Sequence, residues 1–389
     1  MSDYTTDGKG QNTMGKKLQP KLRFRGFTDA WEQRKGAEVI CVRRDNIANP
    51  PKDIVDVELE NLIEGGGLQG DLSLRTASTS VFHEHDTLFG RLRPYLRKFW
   101  FANTSGVKSG EIWSLYSSAL KPEFLYALTQ SAQFLNQALQ TAGTKMPRAE
   151  WKTIAEAYFA VPQAEEQEKI GILFQKLEQL IDAEKRKLEL LEKKREELLQ
   201  CVFSQRLRLN GCTEDCPQYS LAELEMNGDI HMGRGKVISA IQMKKNPGIY
   251  PVYSSSSKNN GEMGRYGEYM FDHELVTWSI DGGGHVFYRA KHRFSITNVC
   301  GYIQVRNNID CSFLAYQMMF KHSKLHFDYT SKALPSLIKN MYDLSMPSLY
   351  EQERIGRLFK VFDSLIEFIS HKIELTEQKK KALLQTMFL

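Results

Sequence analysis

The sequence predicts an α+β chain built as a pseudo-twofold tandem duplication: a strand-rich body followed by a long charged helix, twice over, with the two helices pairing antiparallel as a coiled coil. Three observations predict it. First, EEQEKIGILF at 165–174 returns as YEQERIGRLF at 350–359, ELLQCVF ending at Phe203 returns as ALLQTMF ending at Phe388, and KLRFRG from Lys21 returns as RLRLNG from Arg206, each 185 residues later. A period of nearly half of 389 residues marks duplication of one large unit, not a solenoid. Second, Ile170, Leu173, Leu177, Leu180, Leu188, Leu191, Leu198 and Val202 fall close to a 3,4 spacing among charged residues, and Ile355, Leu358, Phe362, Leu365, Ile369, Ile373, Leu383 and Met387 repeat the pattern. A narrow apolar seam on a solvated helix is the mark of a coiled-coil partner. Third, 81–116 and 269–305 mix short apolar runs with Gly, Pro, Asn and Ser turn signals, which reads as strands joined by loops.

Taken in order, residues 1–19 are polar, lack an apolar segment of signal-peptide type, and read as a loose tail. Residues 20–160 form the first body: strands, then a helical stretch PEFLYALTQSAQFLNQAL at 122–139 and a turn TKMPRAEW. Residues 161–204 are the first long helix, its start defined by Pro162, where proline interrupts nothing. Glu184 and Arg195 break the apolar seam, so pairing is expected to be imperfect there. Residues 205–345 repeat the body, with SFLAYQMMFKHSKLHF and the turn SKALPSLI, and 346–389 repeat the helix after Pro347. An antiparallel helix pair would set the two bodies at opposite ends of a rod.

Composition bounds the rest. A content of 41% hydrophobic and 25% charged residues suits a globular protein with real cores, and the net charge of +5 is compatible with a polyanion partner without requiring one. No run of 18 apolar residues occurs, and six scattered cysteines read as reduced thiols of a cytoplasmic protein.

The densest basic cluster, RLRPYLRK at 91–98, lies directly before Phe99, Trp100 and Phe101. Cations beside aromatics suit phosphate and base contacts, so Arg91, Arg93, Tyr95, Arg97 and Lys98 are candidate DNA-binding residues, with Lys145 and Arg148 from the following turn. In the second body the polar loop YSSSSKNNGEMGRYGEY at 253–269 offers Ser255, Ser256, Ser257, Lys258, Asn259, Asn260 and Arg265, joined by Lys332. Serine and asparagine side chains on such a loop can reach base edges. Several catalytic signals fail. NPPK at 49–52 has Lys52 where a base-stacking aromatic belongs in amino-methyltransferases, and no glycine-rich strand–helix turn precedes it. HEHD at 83–86 alternates faces on a strand, CTEDC at 212–216 has the wrong spacing for zinc, and DGGGH at 281–285 lacks the lysine of a P-loop.

The doubled EQ(E)(K/R)IG…LF, together with PKLRFRGFTDAWEQRKGAEV, LFGRLRPYLRKFWFA, VPQAEEQEKIGILFQKLEQLI, NPGIYPVYSSSSKNNGEMGRY and RFSITN, resembles the specificity subunit of a bacterial Type I restriction–modification system, over nearly the whole chain from Pro20. Two departures blur little: no leucine follows Lys35, and the second entry, TEDCPQYSLAEL, lacks Trp-Glu. The resemblance implies that each body is a target recognition domain reading one half of an asymmetric, bipartite site in double-stranded DNA. It implies two modification subunits seated on the helices and restriction subunits joining them, with S-adenosylmethionine, ATP and Mg²⁺ held by those partners and no cofactor, metal or catalytic residue on this chain. Under it, Glu166, Gln167, Ile170, Gly171 and Phe174 and their repeats Glu351, Gln352, Ile355, Gly356 and Phe359 are candidate partner-interface residues. A self-sufficient methyltransferase or nuclease with an unrecognised motif is the rival class, separable because it would bind S-adenosylmethionine unaided. A coiled-coil scaffold without nucleic acid is a third.

Overall fold

The computed structural model describes residues 18–73, 79–140, 146–208, 216–256, 258–281, 283–306, 308–325 and 332–389. In chain order the first half runs β1 (Glu32–Lys35), α1 (Gly36–Val39), β2 (Cys41–Val42), β3 (Val55–Val57), β4 (Ser80–Phe82), β5 (Thr87–Gly90), β6 (Phe99–Phe101), β7 (Gly106–Lys108), β8 (Ile112–Tyr116), α2 (Pro122–Gln130), α3 (Ala132–Ala138), α4 (Trp151–Glu156), β9 (Tyr158–Val161) and α5 (Ala164–Phe203). The second half runs β10 (Gln218–Tyr219), α6 (Leu221–Met226), β11 (Ile230–Arg234), α7 (Ala240–Lys245), β12 (Tyr250–Tyr253), β13 (Glu262–Tyr266), β14 (Leu275–Ser279), β15 (Val286–Arg289), β16 (Ser295–Ile296), β17 (Cys300–Val305), α8 (Cys311–Ser323), α9 (Pro335–Ile338), β18 (Leu344–Ser345) and α10 (Leu349–Met387).

Two compact units result. One takes the chain to Glu184 and again from Lys372 to Leu389; the other is Lys185 to His371. Each long helix is therefore divided between units, where the sequence boundaries 161–204 and 346–389 set the helices apart as segments of their own. The reason is packing: the helix starts are built into the cores of the bodies.

In the first unit, an antiparallel sheet of order β2-β8-β5-β6 and a smaller sheet β3-β7-β4 share strand residues that alternate between two cores. Leu88 of β5 joins Val57, Phe82 and Ile112 between the sheets, while Phe89 joins Trp113, Phe124 and Phe134 on the helix side. β5 is buried on both faces, and its sequence TLFG accordingly shows no apolar–polar alternation. The second unit repeats this with β11-β17-β14-β15, where Leu275 faces Phe294 and Ile296 while Val276 and Trp278 face α8. Its small sheet has drifted. β3 lies parallel to β7, as β12 does to β16, but the third strand attaches to β7 in the first unit and to β12 in the second.

The long helices hold 40 and 39 residues with one glycine each and no proline, and Glu165, Glu166 and Glu351 in the first turns favour the helix dipole. In the first unit, Lys380 reaches Glu178 at 2.5 Å and Lys372 reaches Glu184 at 2.5 Å, so α5 and α10 run antiparallel there. In the second, Arg195 reaches Asp363 at 2.6 Å and Phe203 meets Phe359, again antiparallel. The polar interruptions of the seam, Glu184 and Arg195, are thus paired rather than defects. Lys380–Glu178 and Arg195–Asp363 are one ion pair related by the repeat, and each carboxylate also takes a bond from its own body: Gln130 Nε2 to Glu178 at 3.1 Å, Tyr316 OH to Asp363 at 2.6 Å.

Candidate nucleic-acid interface

The cluster at 91–98 forms the tip of the β5–β6 hairpin. Pro94–Leu96 make a single 3-10 turn flanked by Arg93 (φ 51°) and Arg97 (φ 50°), both left-handed. Left-handed non-glycine residues cost on the order of 1 kcal/mol and persist only where neighbours enforce them. Here Arg93 N–H donates to Pro147 O at 2.8 Å, Arg97 N–H to Pro94 O at 3.0 Å, and Gly65 N–H to Arg97 O at 3.1 Å. The result is a fixed backbone carrying exposed Arg93, Tyr95 and Arg97, with no carboxylate paired to either arginine among the described residues.

The other candidates of this cluster are used differently. Arg91 turns inward over the Trp113 ring at 5.7 Å, its Nε buried without a hydrogen-bond partner. Lys98 Nζ donates to Leu59 O at 2.9 Å, and so ties the hairpin to its neighbouring loop. Arg148 is held by Glu111 at 2.9 Å, and that hydrogen bond keeps the Glu111 carboxyl below its usual range. Arg91 and Lys98, both half-buried, thus make structural contacts within the unit, one on an inward tryptophan and one on a carbonyl, while Arg93, Tyr95 and Arg97 are the exposed part of the cluster. Lys145 lies outside the described residues. Asp86 of HEHD is likewise structural: burial alone would raise its pKa, but Arg43 at 2.6 Å and Ser114 at 2.6 Å overcome that and hold it below the usual range. Among the described residues no cluster of His, Cys, Asp and Glu suits a metal ion.

In the second unit the polar loop turns through Lys258, Asn259 (φ 50°) and Asn260 (φ 51°), all exposed. Ser256 Oγ accepts the Lys258 N–H at 3.1 Å, and Ser255 O accepts Ser279 Oγ at 2.9 Å, so these serines build the turn before they can read anything. Ser257 lies outside the described residues. Arg265 is exposed though bound to Glu262 at 3.2 Å, and Lys332 is exposed 3.8 Å from Asp281. Sequence reasoning missed Arg289, buried beneath this loop with its Nη1 on Asn260 O at 2.7 Å. Its signal in YRAKHRF is indistinguishable from a surface cation.

The ten candidate partner-interface residues face inward. Glu166, Gln167, Ile170, Gly171 and Phe174 are buried within the chain, as are Glu351, Gln352, Ile355, Gly356 and Phe359. They lock each helix start to its body. Arg23 donates to Glu166 at 2.9 and 2.7 Å, and the repeat-related Arg208 donates to Glu351 at 2.9 and 2.6 Å. Gln167 donates through Nε2 to Pro162 O and accepts Lys121 N–H at Oε1; Gln352 donates through Nε2 to Pro347 O and accepts Asp310 N–H at Oε1. The duplicated words are a duplicated joint. What the helices do expose is an apolar stripe at helical spacing on α10, Val361 (53%), Leu365 (44%) and Phe368 (66%), and the repeat-related Leu180 on α5 (41%). Sequence reasoning placed Leu180 and Leu365 in the seam, because spacing alone does not say which of two apolar faces is covered.

No helix among the described residues is long and apolar enough to cross a membrane. The family model described as the Type I restriction modification DNA specificity domain matches residues 95–193 and 227–378. A putative Type I specificity subunit N-terminus from Mycoplasma pneumoniae is 41% identical over 135 residues, 33% of this chain and 71% of that protein. A second putative Type I specificity subunit from that organism is 37% identical over 158 residues, 39% of this chain and 42% of the relative, so the chain spans under half of the latter's length. Among solved structures, the S subunit of a Type I restriction–modification system from M. genitalium matches with a TM-score of 0.73 over 96% of this chain and 99% of that one. At 14% identity that likeness is one of fold.

Proposed function

Because this chain belongs to the Type I restriction–modification specificity family, whose members are recognition rather than catalytic subunits, we propose that its two units each read one half of a bipartite target in double-stranded DNA. The observation that carries the reading is the contrast of like frameworks and unlike tips. Both units use the same four-stranded order and the same Arg–Glu joint, yet one displays Arg93-Tyr95-Arg97 between β5 and β6 and the other displays Lys258-Asn259-Asn260 at a different place, between β12 and β13. A duplicated scaffold with divergent exposed loops is what two readers of different sequences require. Arg93 and Arg97 suit phosphate or guanine, and Asn259 and Asn260 suit adenine edges.

The exposed stripe Val361–Leu365–Phe368 supports docking of a modification subunit on α10, and Leu180, which repeats Leu365, supports docking of a second on α5, where Lys176 and Ala183 stand in place of Val361 and Phe368. Those partners, and restriction subunits through them, would bring S-adenosylmethionine, ATP and Mg²⁺.

The test is a complex assembled with its modification subunits, with Arg93 and Arg97 each replaced by alanine. A residue on phosphate alone lowers the salt slope by about one and weakens all sequences alike, whereas one on a base costs roughly 1–3 kcal/mol and relaxes one position. Unchanged affinity, salt slope and methylation pattern in both variants would remove the hairpin tip from the interface.

A further inference from the structure

Arg289, at 2% exposure, is a full positive charge inside the second unit with no carboxylate paired to it among the described residues. Desolvation pushes its pKa down to about 10, so the guanidinium remains charged at neutral pH. A buried charge without an ionic partner is costly, and it persists where hydrogen bonds and polarisable neighbours compensate. Its Nε donates to Thr277 Oγ1 at 3.1 Å, and its plane lies over the Tyr253 ring at 3.8 Å and the Phe287 ring at 4.5 Å. Thr277 and Phe287 are cross-strand partners on β14 and β15, so this end of the guanidinium is anchored in the sheet.

The other end is aimed at the loop. Nη1 donates to Asn260 O at 2.7 Å, the second of two consecutive left-handed asparagines. The next residue, Gly261 (φ +80°), closes the loop by accepting Ser254 N–H at 2.8 Å, and a Cβ there would stand 3.2 Å from Arg289 Nη2 and 3.1 Å from Ser254 O. The second of the two left-handed asparagines is thus tied to the sheet by a rigid, planar guanidinium. A methionine or leucine would fill the same volume at lower desolvation cost, but would leave the Asn260 carbonyl unheld.

We propose that Arg289 is the positioning residue of the second reading loop, fixing the exposed face of Lys258–Asn260 in the geometry that selects one DNA half-site. The inference rests on the DNA-reading function proposed above. It differs from a phosphate role, because Arg289 is not exposed and touches no DNA itself.

The test uses the full chain in complex with its modification subunits, carrying Arg289→Met, Arg289→Lys or Gly261→Ala, the last disturbing the same loop from its other side. For Arg289→Met, cognate affinity is expected to fall roughly 10- to 100-fold, the range of a lost charged hydrogen bond. The methylation pattern should become degenerate in one half-site only, while the salt slope and non-specific binding stay unchanged. Arg289→Lys should recover part of the discrimination, having one N–H for Asn260 O, and Gly261→Ala should blur the same half-site. If Arg289→Met fails to fold, the lysine and alanine variants still decide the matter. Uniform weakening of all sequences with a salt slope lower by about one would make Arg289 a phosphate ligand and overturn the proposal. Unaltered half-site preference in a folded variant would reduce it to a core residue. If the unaltered complex shows no sequence-specific DNA binding, the functional reading fails and this inference falls with it; specific binding with indifferent variants sinks the inference alone.

Discussion

Replacing the glycine in each helix joint with alanine should destabilise the protein, against the ordinary trend for helix interiors. There, alanine is favoured over glycine by about 0.8–1 kcal/mol. At Gly171, however, a Cβ would stand 2.7 Å from Glu123 Cβ, 2.8 Å from Phe124 N and 2.9 Å from Glu123 C. These atoms belong to the first turn of α2, which Gln167 also holds through Lys121 N–H at 3.0 Å, so α2 itself must retreat. Overpacking of this kind costs about 1–3 kcal/mol, and backbone obstruction belongs at the upper end, leaving Gly171→Ala about 2 kcal/mol less stable. At Gly356 the closest atoms are Ser312 Oγ and Asp310 Oδ1, side-chain tips that can turn away, with the backbone Phe313 N farther off at 3.1 Å. Turning costs the α8 cap, since Asp310 Oδ1 accepts Phe313 N–H at 2.8 Å and Ser312 Oγ at 2.5 Å. Loss of a cap, about 1 kcal/mol, roughly cancels the helix gain, and residual crowding leaves Gly356→Ala about 1 kcal/mol or less destabilised. Hydrogen exchange across a urea series reads the two units separately. Stabilisation by Gly171→Ala, or a larger loss at Gly356, would refute the reasoning that backbone contact, not helix propensity, decides these positions.

Three further outcomes are expected. Phe388→Ala should cost about 3–5 kcal/mol in the first unit, where the ring meets Trp31, Phe124 and Phe174, while the repeat-related Phe203→Ala should strike the second unit through Phe313, Phe320 and Phe359; exchange protection lost in one unit at a time is the measurement. Lys108, whose Nζ donates to Ile112 O at 2.7 Å, is pushed by burial down to about 8. Below pH 8 both states are charged and the folded one bears the desolvation; above it the folded lysine loses its proton first, so stability should rise until the unfolded lysine titrates near pH 10.4, and Lys108→Met should flatten that rise in a denaturation series. Phe368→Asp, at an exposed position, should leave stability within about 0.5 kcal/mol yet weaken co-purification with modification subunits; undiminished co-purification would move the docking surface elsewhere.

Much of the architecture was legible because it was written twice. The helix expected from 165 to 203 spans Ala164–Phe203, and 81–116 resolves into β4 to β8, since glycine, proline and seam spacing punctuate those segments. The direction in which a motif faces was not legible. Glu166 and Gln167 look like surface residues in any sequence, and only the arrival of Arg23, 143 residues away, makes them interior. Lys98 and Arg93 stand in one basic run, yet the left-handed turn between them sends one to a carbonyl and the other to solvent. Nor did the repeat announce where it fails. Trp31, which donates to Glu166 at 3.1 Å, is matched 185 positions later by Cys216, so the second joint lacks its indole bond.

The division of the long helices has a consequence for synthesis. The second unit is one continuous stretch, Lys185 to His371, but the first closes its core with Met387 and Phe388 from the far end of α10. A ribosome adding about 5–20 residues per second reaches Phe388 on the order of 10–40 s after Glu184. Throughout that interval Trp31, Phe124 and Phe174 lack the ring they pack around. The half made first is finished last, and the nascent first unit presents an open aromatic notch, the kind of surface that chaperones bind, until the final helix emerges.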